Sequence, residues 1–316
     1  MSITASNSFP PCPITGRPAA RHIQGMSASL IQDLWRIGQG VDVSHLFKGV
    51  SRLNMYESPN GLIYFDPPIV GDGKFYDNYY NTWDVHSGLT YLSESRVDYV
   101  RTSGYIKNGA KVIDVGCGPG VFRHHLPHAH YTGLDPYAAP DADAAIIHET
   151  LEQYAESHAG SFDVASAFHV IEHVADPRRY AELMVKLLRP GGLLVLAAPL
   201  HPSPLSEIPN FPVNMPPHHV TWWNPSAFSA LAAELGLEVV EASALPPSPH
   251  QGTIYWLHKL LLKRTSKAPD ERYYAHRWSW HASLILAYYM AKVVNRIRRM
   301  PRNIKPVDAY LVARKH

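Results

Sequence analysis

Two groups of residues in this chain have the types and spacing for chemistry: a glycine turn bracketed by acids, and two runs of histidine. The turn reads Val112-Ile113-Asp114-Val115-Gly116-Cys117-Gly118-Pro119-Gly120-Val121-Phe122. A β-branched strand runs straight into three glycines, which let the backbone turn tightly and approach a ligand with no Cβ in the way. Pro119 suits the first turn of a helix, where its missing N–H is no loss. The spacing G-x-G-x-G, with Asp114 ahead of it, differs from the G-x-G-x-x-G turn that cradles a pyrophosphate. An acid at the strand end suits a ligand with a positively charged amino group. Asp135 closes the next apolar run, Tyr131-Thr132-Gly133-Leu134-Asp135-Pro136, 21 positions beyond Asp114. There a carboxylate can accept hydrogen bonds from both hydroxyls of a ribose. Either feature alone is an ordinary turn with an exposed acid; the two in register with their strands indicate a nucleoside site.

The histidine runs are His169-Val170-Ile171-Glu172-His173 and Pro216-Pro217-His218-His219-Val220-Thr221-Trp222-Trp223. Histidine is the side chain whose ordinary pKa lets it take and return protons near neutral pH. Both runs follow apolar strand candidates, so both fall on the carboxyl-end rim where open α/β sheets bind ligands. The plainer roles are loop capping by Glu172 and His173, and packing of His218 and His219 beside Trp222. A further set, His124, His125, His128 and His130, spans a helix end and a strand start, shares no face, and is expected on the solvated surface.

The elements that must position these residues follow from the alternation of short apolar runs with helical segments between about residues 111 and 245, the pattern of an α/β domain with a mainly parallel sheet. Strands are expected at Lys111–Val115, His130–Leu134, Ala144–Ile147, Asp163–Phe168, Leu193–Ala198 and Leu237–Ala242, and a last one at Val307–Arg314. That last strand needs a sheet to pair with, and the sheet lies upstream. Residues 253–305 therefore read as an insertion. Ahead of the core, FYDNYYNTW leads into an expected helix, LTYLSESRVDYVRTSGY, while the first 75 residues are rich in Pro, Gly and Asn and show little sustained periodicity.

DVGCGPG, GLDP, SFDVASAFHVIEHVADP and LRPGGLLVLAAP, in this order and spacing, resemble the class I S-adenosylmethionine-dependent methyltransferases. The resemblance implies a Rossmann-like α/β fold: a seven-stranded, mostly parallel sheet with an antiparallel final strand and helices on both faces. It divides the chain into an amino-terminal extension (1–75), a cofactor-binding core (76–252 and 306–316) and a basic helical insertion (253–305). It implies S-adenosylmethionine as cofactor, held by Asp114, Gly116, Cys117, Gly118 and Gly120 at the methionine part and by Asp135 and Pro136 at the ribose. Glu149, Thr150 and Leu151 would frame the adenine, with Phe168 and His169 beside the sulfonium. Methyl transfer is an in-line displacement from an activated cofactor, so the protein mainly aligns the reactants. A hydroxyl acceptor also needs a base. His173, His219 and His169 are the catalytic candidates; Tyr79, Tyr80, His218 and Trp222 are the candidates for holding the acceptor.

H-x-x-E-H with a later His-x-x-x-Trp also looks like the metal site of small-RNA 2′-O-methyltransferases, at His169, Glu172, His173 and His219. That family carries Glu where this chain has His169, and the expectation is a reaction without metal. The function expected is methylation of a small molecule or glycan, at oxygen; the rivals are a metal-assisted RNA 2′-O-methyltransferase and a non-catalytic cofactor-binding scaffold.

Cys12-Pro13-Ile14-Thr15-Gly16 and Tyr56-Glu57-Ser58-Pro59-Asn60-Gly61 look like a decayed pair of zinc knuckles, in which one cysteine cannot hold a structural zinc. Two cysteines in the whole chain exclude a disulfide framework. The net charge of +2 conceals an uneven distribution, because Thr253 to Lys305 carries twelve basic residues against two acidic ones. Its longest uncharged run, Trp278 to Ala291, would span about 21 Å as a helix, short of the ~30 Å core of a bilayer. Leu286, Met290, Val293, Ile297 and Met300 form one apolar stripe with Lys292, Arg296 and Arg299 on another face. A lid over the site, a peripheral membrane contact through 278–300 and, least of the three, a nucleic-acid contact are the readings. No secretory signal opens the sequence, so the cytoplasm is expected, including the inner membrane surface.

Overall fold

The computed structural model describes residues 9–83, 96–138, 145–262, 272–301 and 304–316. Its main sheet has seven strands among these residues: β4 (Lys111–Val115), β5 (His130–Leu134), β6 (Ile146–Ile147), β7 (Phe162–Phe168), β8 (Leu188–Pro199), β10 (Glu238–Leu245) and β11 (Asp308–Arg314). They lie in the order β10-β11-β8-β7-β4-β5-β6. The five from β8 to β6 run parallel, while β11 is antiparallel to both β8 and β10. The mostly parallel sheet and its antiparallel last strand are as the resemblance implied. The order reverses between β4 and β7, and crevices at such a switch point bind ligands at the strand carboxyl ends. Ala144 lies outside the described residues, as does the 89–95 part of the stretch expected to be helical; the helix seen there, α3, is Val97–Ser103.

The central strands β4, β7, β8 and β11 are largely buried, which their near-continuous apolar runs require. Val112, Ile113, Ala165, Leu194, Leu196 and Leu311 are fully buried. One face is covered by α4 (Leu151–Ser157), α5 (Pro177–Leu187) and α6 (Pro225–Glu234), whose Leu151, Leu183, Met184, Leu187, Phe228 and Leu231 join the largest core cluster. Each of these helices opens on a capped donor: Thr150 accepts from the Gln153 amide, Asp176 from Arg179 and Asn224 from Ala227.

A second sheet lies ahead of the main one. It consists of β1 (Arg21–Ser27), β2 (Arg52–Glu57), β3 (Ile63–Asp66) and, from far along the chain, β9 (Thr221–Trp222), all antiparallel. Between β1 and β2 stands α1 (Ala28–Gln39), begun by the Ser27 hydroxyl accepting from Leu30 N–H and ended by Gly40 at φ +69°. Leu30, Ile31, Leu34 and Trp35 form its buried stripe and pack with Phe65, Phe75 and Met215. The amino-terminal segment is therefore more than the two knuckles read in its sequence. Both turns are present without thiolate pairs: Gly16 N–H donates to Cys12 O, and Leu62 N–H donates to the side chains of Ser58 and Asn60.

Between β10 and β11 the chain forms α7 (Gly252–Leu260) and α8 (Trp278–Ile297). The packed face of α8 carries Trp280, His281, Ser283, Ala287 and Ala291, and Ala287 and Ala291, flanked by Leu284 and Tyr288, are set against Leu257, Leu261, Leu205 and Ile208. The apolar stripe read in the sequence is turned the other way: Leu286 is 55% exposed, Val293 57% and Ile297 76%. Ala287 and Ala291 at the centre of the packed face let α7 and α8 approach closely, while the stripe of larger residues lies on the opposite side. Among the described residues, no helix is long and apolar enough to cross a membrane.

Candidate active site

The register of β4 sets Asp114 between Gly133 of β5 and Ser166 of β7. Its carboxylate accepts hydrogen bonds from Ser166 Oγ and Tyr131 Oη, both at 3.0 Å. Burial pushes its pKa up to about 7 against the pull of those two hydroxyls. Gly116, Gly118 and Gly120 all adopt positive φ, at +72°, +53° and +69°. A Cβ on Gly116 would stand 2.6 Å from Val170 Cγ2, and one on Gly120 would stand 3.1 Å from Ile146 Cδ1. At Gly118 a Cβ would meet nothing within 4 Å, so this part of the loop faces open space above the strand ends. Gly118 N–H donates to Asp135 Oδ2 and Tyr137 N–H to Oδ1, each at 2.8 Å. Those two bonds fix the carboxylate and leave each oxygen a lone pair for a ligand hydroxyl.

The helix expected after the loop is a single 3-10 turn, Val121–His125, because Leu126-Pro127 ends it almost at once. His124, His128 and His130 are exposed, whereas His125 is half-buried with its ring 5.6 Å from Tyr99. Cys117 fills the space above Gly133, where a Cβ would stand 2.7 Å from its sulfur, and burial pushes its thiol up. Pro136 and Glu149 are exposed at the rim, while the Leu151 side chain is in the core below it. The Phe168 ring packs at 4.8 Å from both Tyr99 and Phe122, so the main chain of this residue, not its ring, reaches the strand end.

The two histidine runs do meet. Trp35 Nε1 donates to Pro216 O at 2.8 Å, Gly71 N–H to Pro217 O at 2.8 Å and Val220 N–H to Glu172 O at 2.8 Å. With β3 pairing β9, these bonds draw the 216–223 loop down onto the 3-10 turn Ile171–His173. The rings of His173, His218 and His219 lie 4.4 to 4.9 Å apart. From α2 (Gly73–Trp83), Tyr79 stands 5.1 Å from His218, and Tyr76 stands 6.3 Å from His173. The side chain of Tyr80 is outside the described residues. Trp222 faces away, toward Phe65, Tyr273 and His201, with Nε1 donating to Asn214 O.

Burial shapes the chemistry here. It lowers His173 to about 4, and takes His218 and His219 well below the usual imidazole range. All three rings are neutral at pH 7 and hold a proton poorly, which departs from the ordinary value the sequence suggested. Glu172 is 1% exposed, neither of its oxygens has a hydrogen-bond partner, and burial raises its pKa to about 8. His169 differs from the other rings. At φ +59° it is one of two non-glycine residues with positive φ among the described residues, held by its N–H to Ala197 O at 2.8 Å. Its side chain is 28% exposed, and it stands 3.7 Å from Asp98 and Glu172 and 3.8 Å from Asp308.

Arg96, Asp98 and Asp308 are site residues the sequence reading missed. Arg96 pairs with Asp98 through two nitrogens and lies 4.1 Å over the Tyr99 ring. Burial alone would raise Asp98, but the Arg96 charge and hydrogen bonds overcome it and hold the carboxyl low. Asp308 opens β11 and is raised to about 8 by burial, with Asp98 adding to the shift. The signal available was a lone acid within the apolar run VDAYLVAR.

Strand order, positive-φ glycines and an acid at the second strand end are those of a Rossmann-like α/β fold, with open space above the strand ends where such folds take a nucleoside. The methyltransferase-domain family matches residues 93–242, and that part of the chain is similar to S-adenosylmethionine-dependent methyltransferases. A protein of Cronobacter sakazakii called ubiquinone biosynthesis O-methyltransferase is 32% identical over 126 residues, covering 35% of this chain and 52% of that protein. Its counterpart from Sodalis glossinidius is 34% identical over 128 residues, covering 35% and 51%. The chain spans about half the length of the curated relatives it matches. Among solved structures, a methyltransferase of Archaeoglobus fulgidus is similar at a TM-score of 0.43 and 18% identity, over 68% of this chain and 90% of its own.

Proposed function

We propose that this enzyme methylates a hydroxyl group of a small, flat acceptor bound between the cofactor loop and the histidine rim. The observation that carries the reading is the convergence of both halves on one strand-end crevice, with Tyr76 and Tyr79 walling the rim. The O-methyltransferase relatives support it. S-adenosylmethionine supplies a methyl group on a sulfonium, already activated for displacement. Asp135 holds the ribose through the lone pairs left by Gly118 and Tyr137, and Asp114 faces the amino group. His169 is the proton acceptor in this reading, because Asp98, kept ionised by Arg96, stands 3.7 Å from its Nε2 and would stabilise the imidazolium. His173 and His219 are too buried to serve as free bases. The test is incubation with S-adenosylmethionine and a panel of catechols, phenols, aliphatic alcohols, amines and carboxylates. Mass spectrometry should find an O-methylated product from the hydroxyl members; products only from amines or carboxylates would sink the reading.

The exposed stripe of α8 supports a second element, peripheral contact with an anionic membrane from the cytoplasmic side. Leu286, Met290, Val293 and Ile297 present unpacked apolar surface, and Lys292, Arg296, Arg298 and Arg299 surround it with positive charge. Cosedimentation should show binding to vesicles rich in phosphatidylglycerol and little to pure phosphatidylcholine. Leu286→Ser with Ile297→Ser should abolish that binding while turnover on a water-soluble acceptor stays unchanged.

A further inference from the structure

We propose that His173, His218, His219 and Glu172 form a binding site for one divalent first-row transition-metal ion. Donor atoms of the three imidazoles all lie within 4.8 Å of one another. Nitrogen ligands at 2.0–2.1 Å from an ion stand at most about 4.2 Å apart, so the rings are close to the spread of a shared ion. Hydrogen bonds fix which nitrogens are available. His173 Nδ1 is 2.7 Å from His218 O and His218 Nδ1 is 3.0 Å from Val213 O. A carbonyl only accepts, so each Nδ1 donates and each Nε2 carries a lone pair. Backbone carbonyls orienting the rings in this way are the usual outer support of metal-bound histidine.

Glu172 supplies an observation independent of the rings. Both its oxygens are buried and without a hydrogen-bond partner, and Oε1 lies 3.7 Å from His173 Nε2 and 4.0 Å from His219 Nε2. Carboxyl oxygens and ring nitrogens stand close together with no hydrogen bond between them. Native proteins rarely leave buried polar atoms unpaired, and an ion is one accepted resolution. The nearby guanidinium, Arg96, is engaged by Asp98. Three neutral imidazoles and one carboxylate suit zinc, iron, cobalt, nickel or manganese, whereas magnesium and calcium favour all-oxygen sites. What the ion would do rests on the hydroxyl-methylation reading: bound to the acceptor oxygen, it would lower the pKa of the hydroxyl.

The experiment is cobalt(II) titration of chelator-stripped, desalted protein, followed by visible d–d absorption, with zinc(II) affinity from competition against a chromophoric chelator. One ion per chain is expected, undisplaced by excess magnesium(II). Glu172→Gln and His219→Ala should each weaken binding at least about 100-fold, beyond the 10- to 100-fold typical of an outer partner. Calorimetry with S-adenosylhomocysteine reports folding of each variant. Glu172→Gln keeps the side-chain volume, so it decides the matter even where His219→Ala does not fold. Exposed histidines are the competing source of adventitious binding, and a His124→Ala, His128→Ala double variant should bind like wild type. The proposal is overturned if stripped wild type with intact S-adenosylhomocysteine affinity binds no ion, if Glu172→Gln binds as wild type does, or if the double variant loses the ion. Binding is read without acceptor, so a failed methylation assay leaves this result standing, and absence of the ion leaves the methylation reading standing.

Discussion

The cofactor loop and the histidine rim sit on the same strand ends but are built on opposite plans. In the loop every acid is satisfied: Asp114 by two hydroxyls, Asp135 by two backbone N–H groups. In the rim, Glu172 and Asp308 keep oxygens without partners among the described residues, and buried imidazoles crowd them. A satisfied site is preorganised for a ligand of fixed chemistry, which needs only an ammonium and a diol to complete it. An unsatisfied one is unfinished until something else arrives, since buried polar atoms without partners are costly. The difference suggests that the loop and the rim can be broken separately.

The largest effect should come from the rim. His169→Ala should lower kcat by about 10²- to 10⁴-fold, the usual cost of losing a general base, while S-adenosylhomocysteine affinity changes little. A steady-state assay with an accepted hydroxyl substrate, paired with calorimetry, checks both halves of that statement. If turnover survives and cofactor affinity collapses instead, His169 belongs to the loop, and the division between the two regions fails.

The reverse result is expected from Asp135→Ala. Two charge-assisted hydrogen bonds to ribose at roughly 1.5–3 kcal/mol each imply at least tenfold weaker S-adenosylhomocysteine binding. Asp135→Asn, which keeps one carbonyl acceptor, should lose less. Unchanged affinity in both variants would remove the ribose from this strand end.

The same contrast explains what the sequence made legible. Asp114, the three glycines and Asp135 are neighbours along the chain, each written beside the strand that positions it, and a local pattern is enough to find them. The rim joins Glu172 to a loop some 45 positions later, pinned by Trp35 from α1 and flanked by Asp98 and Asp308 from the far ends of the core. No local pattern encodes those meetings. The missed helix α1 is a different matter: Ser27 as cap, Leu30-Ile31 and Leu34-Trp35 as stripe and Gly40 as stop were all readable, but Gly and Pro on either side masked the period. On α8 the stripe was legible as a stripe, but the direction it faces was not. Amphipathicity identifies an apolar face but not whether Ala287 and Ala291 will be packed in its place.

The smallest effect sharpens the comparison by pH. Asp114 is raised to about 7 chiefly by burial, and an arriving ammonium favours its ionised form. Below pH 7 the empty site carries a proton that binding must expel, so cofactor affinity should fall by about tenfold between pH 8 and pH 6. Stability of the cofactor-free protein should run the other way. A carboxyl whose folded pKa is raised stabilises the fold below its unfolded pKa, near 4, and that contribution is lost as pH rises through 7. The rise in Tm on adding S-adenosylhomocysteine should therefore be larger at pH 8 than at pH 6. Asp114→Asn should flatten the affinity profile. Ser166→Ala or Tyr131→Phe, by removing one of the hydroxyls that oppose burial, should move its midpoint upward. A profile that is flat in wild type would remove Asp114 from the ammonium, and one that keeps its slope in Asp114→Asn would place the titrating group in the histidine rim and erase the division drawn between the two regions.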